Sequence, residues 1–137
     1  MKTYVFRSTD EAKNFCLNIG IERSFIFSPM HQEIKSSVAI LCFKKSGQIC
    51  AVIIVYQATN EVGLWVRPEH RNKGLGSSVF AKGMNRLNKK RRIKYAYIDD
   101  RDDISARAMR RILCQNEFLP LIVGEDNGTC QLWSRLQ

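Results

Sequence analysis

Long apolar runs are missing from this sequence of 137 residues. A membrane-spanning helix needs about 18 or more consecutive apolar residues, and the longest apolar stretch here, residues 49–56, has only the length of a strand. The first residues, MKTYVFRSTDEAK, contain a lysine but no apolar segment after it, so they do not resemble a secretory signal. We therefore expect neither a membrane protein nor a secreted one.

Cysteines are few and isolated. The five cysteines are odd in number and none shows the C-x-x-C spacing, which argues against a zinc site and against a secreted disulfide framework. Reduced thiols are usual in the cytoplasm, so we predict a cytoplasmic protein without a bound metal. Four aspartates within residues 99–103 could be read as metal ligands. A strand end followed by a helix N-cap is the favoured interpretation, and recognition of a cationic amine is a third.

Acidic residues are nearly absent from one stretch of the chain. Between Arg67 and Lys94 there are ten basic residues and one acid, Glu69, so this stretch accounts for the whole net charge of +9. Such a block attracts an anion, most often a phosphate. For residues 89–92, Lys-Lys-Arg-Arg, a solvated basic helix end is favoured, and the lack of interleaved aromatic residues argues against nucleic-acid binding.

The order of elements predicts one α/β domain over residues 1–137. No repeat or linker divides the chain, and apolar periodicity indicates a mainly antiparallel first half with a helical crossover after the fourth strand. Residues 28–36 are ambiguous between a short helix and a loop. The predicted strands are 4–6, 38–45, 48–57, 62–66, 93–98, 118–123 and 129–133, and the predicted helices begin at a Ser8-x-x-Glu11 capping box, at Leu75 and near Ile104.

Two details of the predicted helices concern packing. Gly83 interrupts the apolar face of the helix 75–89, where it costs about 1 kcal/mol relative to alanine, so it indicates a close approach of backbone to a neighbour. The last helix is expected to bury an apolar stripe formed by Ile104, Ala108, Met109 and Ile112.

The segment VRPEHRNKGLGS, residues 66–77, is the most informative motif. A strand ends at Val66 and a helix begins at Leu75, with the pattern Arg71-x-x-Gly74-x-Gly76 between them. Glycines allow a sharp turn and a close approach to a ligand, and the first helical turn presents free N–H groups to an anion. The spacing matches neither a Walker A loop nor a dinucleotide fingerprint. These residues predict capture of a phosphate or diphosphate, although an ordinary strand-to-helix turn is the alternative.

This motif resembles the acetyl-coenzyme A binding motif of the GNAT superfamily of N-acetyltransferases. The resemblance covers about residues 38–133, is strongest over 61–87, and includes the later helix ARAMRRILCQNEF, residues 106–118. It implies a GNAT-like fold, a mixed, mostly antiparallel sheet flanked by helices, whose fourth and fifth strands splay apart to admit acetyl-CoA. The coenzyme-binding residues it implies are Trp65, Val66, Arg71, Asn72, Lys73, Gly74, Leu75, Gly76 and Ser77.

The chain departs from the family where a general acid usually stands. The tyrosine that often precedes the Gly-Phe phenylalanine by five residues is Leu113 here, and the glycine is Glu117. Water or Cys114 would then have to assist the leaving thiolate, although a buried structural role is favoured for Cys114. Glu61 occupies a position where some members carry a catalytic carboxylate, although an exposed strand-end acid is the favoured interpretation. His70 is expected to be solvent-exposed, and His31 at most lines the acceptor site.

The sequence therefore predicts transfer of acetyl from acetyl-CoA to a primary amine by direct attack, with the acceptor, a small molecule or a protein amine, left open. A non-catalytic acyl-CoA-binding regulatory module is the alternative, and a basic nucleic-acid-associated domain is a weaker one. Monomer and homodimer are equally compatible with the sequence.

Overall fold

One seven-stranded sheet organises the molecule. The computed structural model describes residues 1–22, 37–88, 95–99, 104–120 and 130–135. The strands are β1 (Lys2–Phe6), β2 (Val38–Lys45), β3 (Gln48–Tyr56), β4 (Glu61–Val66), β5 (Tyr95–Asp99), β6 (Phe118–Pro120) and β7 (Cys130–Arg135), in the spatial order β1-β2-β3-β4-β5-β7-β6. The neighbouring strands are antiparallel except for β4 and β5, which are parallel. The predicted mostly antiparallel α/β fold is confirmed.

Three α-helices flank the sheet in the described part of the chain: α1 (Thr9–Asn18), α2 (Leu75–Asn88) and α3 (Ile104–Gln115). The predicted start of α1 is confirmed, because the Ser8 side chain accepts a hydrogen bond from the amide of Glu11. The helix ends where Gly20 adopts a φ of 98° and the Ile21 amide donates to the Cys16 carbonyl, a common glycine termination. None of the described helices is long and apolar enough to cross a membrane.

The β2–β3 hairpin turns at Ser46 and Gly47, both at positive φ. The bounds of β2 are as predicted, whereas β3 ends one residue early, at Tyr56. Apolar residues on both faces make these two strands the buried centre of the sheet. The closing pair β6–β7 is also confirmed as antiparallel, whereas residues 28–36, 89–94 and 121–129, and His31 among them, lie outside the described residues.

The sheet separates two apolar layers. One layer, on the α1 side, contains Cys16, Val52 and Trp65. The other layer joins β3 and β4 to α2 and α3, and Gly83 belongs there, since a Cβ built on it would collide with the side chain of Ile53. The close packing predicted for Gly83 is therefore confirmed.

The buried stripe predicted for α3 is confirmed at Ile112, which is buried, and at Met109, which packs against the core, but it is wrong at Ile104. Ile104 is 66% exposed, whereas Ala106, Ile112 and Leu113 are buried in the layer that α3 shares with α2. Ile104 is the first residue of its helix, where no preceding turn covers it. The helix face turned to the sheet is therefore centred near residues 112 and 113.

Candidate functional site

Strands β4 and β5 part immediately after they meet. Their parallel pairing has one register pair, Glu61 with Tyr95, although β4 continues to Val66 and β5 to Asp99. The opposite edge of β4 is fully paired with β3 from Glu61 to Val66. The splay predicted for the fourth and fifth strands is confirmed, and it leaves a gap that widens toward the end of β4, where the motif 66–77 begins.

A tight turn connects the end of β4 to helix α2. After a short 3₁₀ turn at Pro68–His70, Asn72 has a φ of 62° and Gly74 a φ of 80°. The Gly74 carbonyl accepts the first helical hydrogen bond, from the Ser78 amide at 3.2 Å. Because helix geometry gives the first N–H groups no carbonyl partner within the helix, the amides of Leu75, Gly76 and Ser77 are available to a ligand. The partial positive charge of the helix end lies at the same place.

The two glycines of the turn have different structural roles. No atom of the described residues lies within 4 Å of a Cβ built on Gly74, so its left-handed backbone faces open space. A Cβ on Gly76 would instead lie 3.3 Å from Ile112 Cδ1 and 3.4 Å from Val66 Cγ2. The expectation that both glycines admit a ligand is corrected here: Gly74 leaves room above the turn, whereas Gly76 lets α2 pack against β4 and α3.

The Arg71 side chain is held against the end of β4. Its Nε donates to the Val66 carbonyl at 2.7 Å, and its Nη2 donates to Glu22 Oε1 at 2.8 Å. The second oxygen of Glu22 accepts from the Trp65 indole Nε1 at 2.5 Å. Burial opposes the ionisation of Glu22, but hydrogen bonds from a backbone amide and from Trp65, together with Arg71, outweigh it and lower the pKa of the carboxyl.

The basic residues around the turn differ in their surroundings. Arg67 donates to the Ile49 and Ile19 carbonyls and lies over the Trp65 ring, so it ties the end of α1 to the sheet. Lys73 is exposed beside Gly74, and His70 is half-buried rather than fully solvent-exposed. Lys73 is therefore the basic side chain of the turn whose position suits a bound anion.

Glu61 lies on the α1 face of the sheet at the point where β4 and β5 diverge. It is 4% exposed, so the favoured interpretation as an exposed strand-end acid is wrong. Its cross-strand neighbour is Tyr56, where burial first and the nearby Glu61 second raise the pKa of the phenol. Next on the same face comes Gly63, and no described atom lies within 4 Å of a Cβ built there. Glu61 and Tyr56 thus form a buried polar pair beside a strand position without a side chain.

The chain matches the model of the acetyltransferase (GNAT) family over residues 9–113, which is more than half of its length. The chain belongs to the GNAT family. No curated protein matches it.

Solved acetyltransferase structures resemble the whole chain or most of it. A spermidine N-acetyltransferase mutant, SpeG F149A from Vibrio cholerae, has a TM-score of 0.61 at 10% identity and covers 99% of this chain and 95% of its own. An acetyltransferase from Salmonella typhimurium that modifies the N-terminal serine of ribosomal protein L7/L12 has a TM-score of 0.51 at 13% identity over 73% and 64%. The microcin C7 self-immunity acetyltransferase MccE, in complex with acetyl-CoA and AMP, has a TM-score of 0.50 at 19% identity over 73% and 61%.

Helix α3 of this GNAT chain places its residues differently from the sequence prediction. Leu113 is fully buried in the apolar layer, whereas Cys114 is exposed, so the favoured buried role of Cys114 is wrong. Adjacent residues of a helix point about 100° apart, so with Ile112 and Leu113 on the buried face, Cys114 falls outside that face. Glu61 lies on the opposite face of the sheet, and the structure does not bring the two proposed catalytic residues together. Glu117 has a φ of 68°, the backbone conformation that a glycine would take most easily.

Two contributions to the site were not predicted from sequence. Glu22 precedes Arg71 by 49 residues, and Tyr56 belongs to another strand than the motif. A signal for Tyr56 existed, because the turn around Asn60 places it opposite Glu61 in a hairpin. No comparable signal pointed to Glu22. Among the described residues there is no group of three or more side chains suited to hold a metal ion, and the aspartates at positions 100, 102 and 103 lie outside them.

Proposed function

We propose that this GNAT-family chain is an N-acetyltransferase that transfers acetyl from acetyl-CoA to a primary amine by direct attack. The observation that carries the proposal is the turn before α2, which presents free amides and the positive helix end at the mouth of the gap between β4 and β5. The names of the structural neighbours, which include a spermidine acetyltransferase and an enzyme that acetylates a protein N-terminus, support an amine as acceptor.

The residues of the turn fit the coenzyme. We assign the diphosphate to the amides of residues 72–76 and to Ser77, with Lys73 and Arg71 adding positive charge. A side chain at position 74 would begin in the space above the turn. Because Gly74 has no side chain, we assign that space to the diphosphate. The main chain of Val66 faces the open edge of β4, where we propose that it pairs with the pantetheine arm, whereas the main chain of Trp65 faces β3. Bound acetyl-CoA supplies the activated acetyl thioester.

The α1 face of β4 is the side we assign to the acceptor. Direct attack requires a neutral amine, so a group that accepts its proton is needed. Glu61 is an ionisable residue at the apex of the gap, and Gly63 leaves room on the same face. We assign Glu61 the role of proton acceptor. Leu113 cannot donate a proton, and Cys114 is exposed on α3, on the opposite side of the sheet from Glu61. We therefore assign protonation of the leaving thiolate to water.

Binding of acetyl-CoA tests the diphosphate site. We expect Gly74→Asp to weaken binding about tenfold or more, since charge-assisted hydrogen bonds are worth about 1.5–3 kcal/mol and the added carboxylate repels the ligand. Isothermal titration calorimetry measures the change. Gly47→Asp is the matched control, because Gly47 has a φ of 79° and equal room, but lies in the β2–β3 turn. Equal affinity of the two variants would contradict the site.

Thiol release in a panel of small amines and N-terminal peptides tests the transfer reaction. With an acceptor found, we expect Glu61→Gln to lower kcat by about a hundredfold, as general-base removal does, while acetyl-CoA affinity is unchanged. Glu69→Gln, which removes an exposed carboxylate, should retain full activity. Acetyl-CoA binding without release above the hydrolysis background in any amine would favour a non-catalytic acyl-CoA-binding module instead.

A further inference from the structure

Glu22 joins three parts of the molecule that come from distant positions in the sequence. It follows the end of α1, its Oε1 accepts from Arg71 Nη2 at 2.8 Å, and its Oε2 accepts from Trp65 Nε1 at 2.5 Å. The Trp65 side chain is 1% exposed, and a buried indole N–H needs an acceptor. Both carboxylate oxygens of Glu22 are therefore used, one on β4 and one on the turn before α2.

Arg71 links Glu22 to the turn before α2. Its Nε donates to the Val66 carbonyl at 2.7 Å, so its side chain bridges Glu22 and the last residue of β4. The next residue, Asn72, has a φ of 62°. Asparagine tolerates this conformation better than most residues other than glycine, but the conformation is sparsely populated and persists where the surroundings hold it in place. The anchored Arg71 is the neighbour that holds the entrance to this turn.

We propose that Glu22 is a positioning residue for acetyl-CoA: acting through Arg71, it fixes the turn 71–74 in the shape that presents the amides of α2 to the diphosphate. The inference rests on the proposed coenzyme site. It also predicts a change in acetyl-CoA affinity opposite to the change expected from charge alone. Glu22 is an acid beside a site for an anion, so removal of its charge should strengthen binding if only electrostatics mattered. Positioning predicts the opposite.

The test compares Glu22→Gln with Glu69→Gln in titrations of acetyl-CoA at a temperature well below the melting point of each variant. Both variants remove one negative charge near the turn, but Glu69 is exposed on the 3₁₀ turn and has no contact with Arg71 among those the structure gives. We expect Glu22→Gln to raise the Kd about tenfold, as expected for a lost charged hydrogen bond. Glu69→Gln should leave the Kd unchanged or lower it.

Arg71→Gln and the double variant show whether Glu22 acts through Arg71. The double variant should bind no more weakly than Arg71→Gln alone, because both changes break one connection. A role in stability alone would lower the melting temperature and leave the Kd of the folded protein unchanged, which would overturn the inference, as would equal Kd values for Glu22→Gln and Glu69→Gln. If Glu22→Gln does not fold, Glu22→Asp, which keeps the charge but shortens the side chain that reaches Arg71 and Trp65, must still raise the Kd. Failure of the unaltered chain to bind acetyl-CoA would instead overturn the proposed function itself.

Discussion

Cys114 differs from the other cysteines with described side chains because its thiol is exposed. Cys16 and Cys42 lie in the apolar layer beneath α1. Burial, followed by the neighbouring Cys42, raises the pKa of the Cys16 thiol to about 12, and burial raises the pKa of Cys42 to about 11. Burial also raises the pKa of Cys50. Only the thiolate is nucleophilic, so these three thiols should be inert at neutral pH.

A thiol-disulfide reagent should therefore distinguish Cys114 from the rest. In a Cys130→Ser background, at pH 8, we expect one thiol to react within minutes and three to react only in denaturant. Their thiolate fractions are small, about 10⁻⁴ for a pKa near 12. Absorbance of the released chromophore gives the count. Adding Cys114→Ser should abolish the fast phase, and a fast phase that survives would contradict the burial of the other three thiols.

The residues of the turn were predictable because their signal is local. The two glycines on either side of the helix start at Leu75, together with a basic neighbour, are visible within six residues, and Gly74 indeed has a positive φ. Glu22 was not predictable, because its contact with Arg71 exists only once α1 and β4 are packed together. The exposure of Cys114 was partly predictable. Arginines at positions 107, 110 and 111 share its helix face, and charged residues favour a face that is in contact with solvent.

At the scale of elements, α2 depends on a glycine that its own helical propensity disfavours. Gly83 faces Ile53 of β3, and a side chain there would collide with Ile53 Cδ1. Ile53 is fully buried and cannot move into solvent. Close contact with β3 therefore outweighs the gain of about 1 kcal/mol that alanine would bring to the helix.

We expect Gly83→Ala to destabilise the protein by about 1–2 kcal/mol, the cost of overpacking less the gain in propensity. Urea unfolding followed by circular dichroism measures the change. Ile53→Val removes the colliding Cδ1 and should recover most of the loss in the double variant. Ala81→Gly, at an exposed position of the same helix, measures propensity alone. Stabilisation by Gly83→Ala equal to the loss in Ala81→Gly would show that no collision occurs.

Most helices and strands could be predicted from local sequence patterns, whereas the pairing between distant strands could not. The β2–β3 hairpin was predictable because alternating β-rich residues flank a Ser-Gly turn. The divergence of β4 from β5 came from the family resemblance, since nothing in the periodicity of either strand indicates that they pair at Glu61 and Tyr95 alone. Parallel strands are joined by a crossover, which here contains α2. The periodicity of the sequence does not indicate the register in which the two strands pair.

At the scale of the whole molecule, the net charge of +9 is concentrated between Arg67 and Lys94. Several of these cations have structural contacts: Arg67 and Arg71 bind carbonyls of the sheet region, Arg86 donates to the Met1 carbonyl, and Lys82 lies over the Phe43 ring. The attraction for an anionic coenzyme therefore depends on where a cation stands as well as on the total. Lys73, exposed beside the turn, is the one we expect to matter most.

Salt separates these contributions. Between 0.1 M and 1 M salt the screening length falls from about 10 Å to about 3 Å, so we expect acetyl-CoA affinity to fall as salt is raised. At 0.1 M salt, Lys73→Gln should weaken binding by about three- to fivefold, as expected for about 1 kcal/mol from an exposed charge pair, and the difference should shrink at 1 M. Lys2→Gln removes the same charge from the edge strand β1, three strands away from β4, and should change affinity little. Equal weakening by both variants in calorimetric titrations would mean that the total charge, and not the cation beside the turn, attracts the coenzyme.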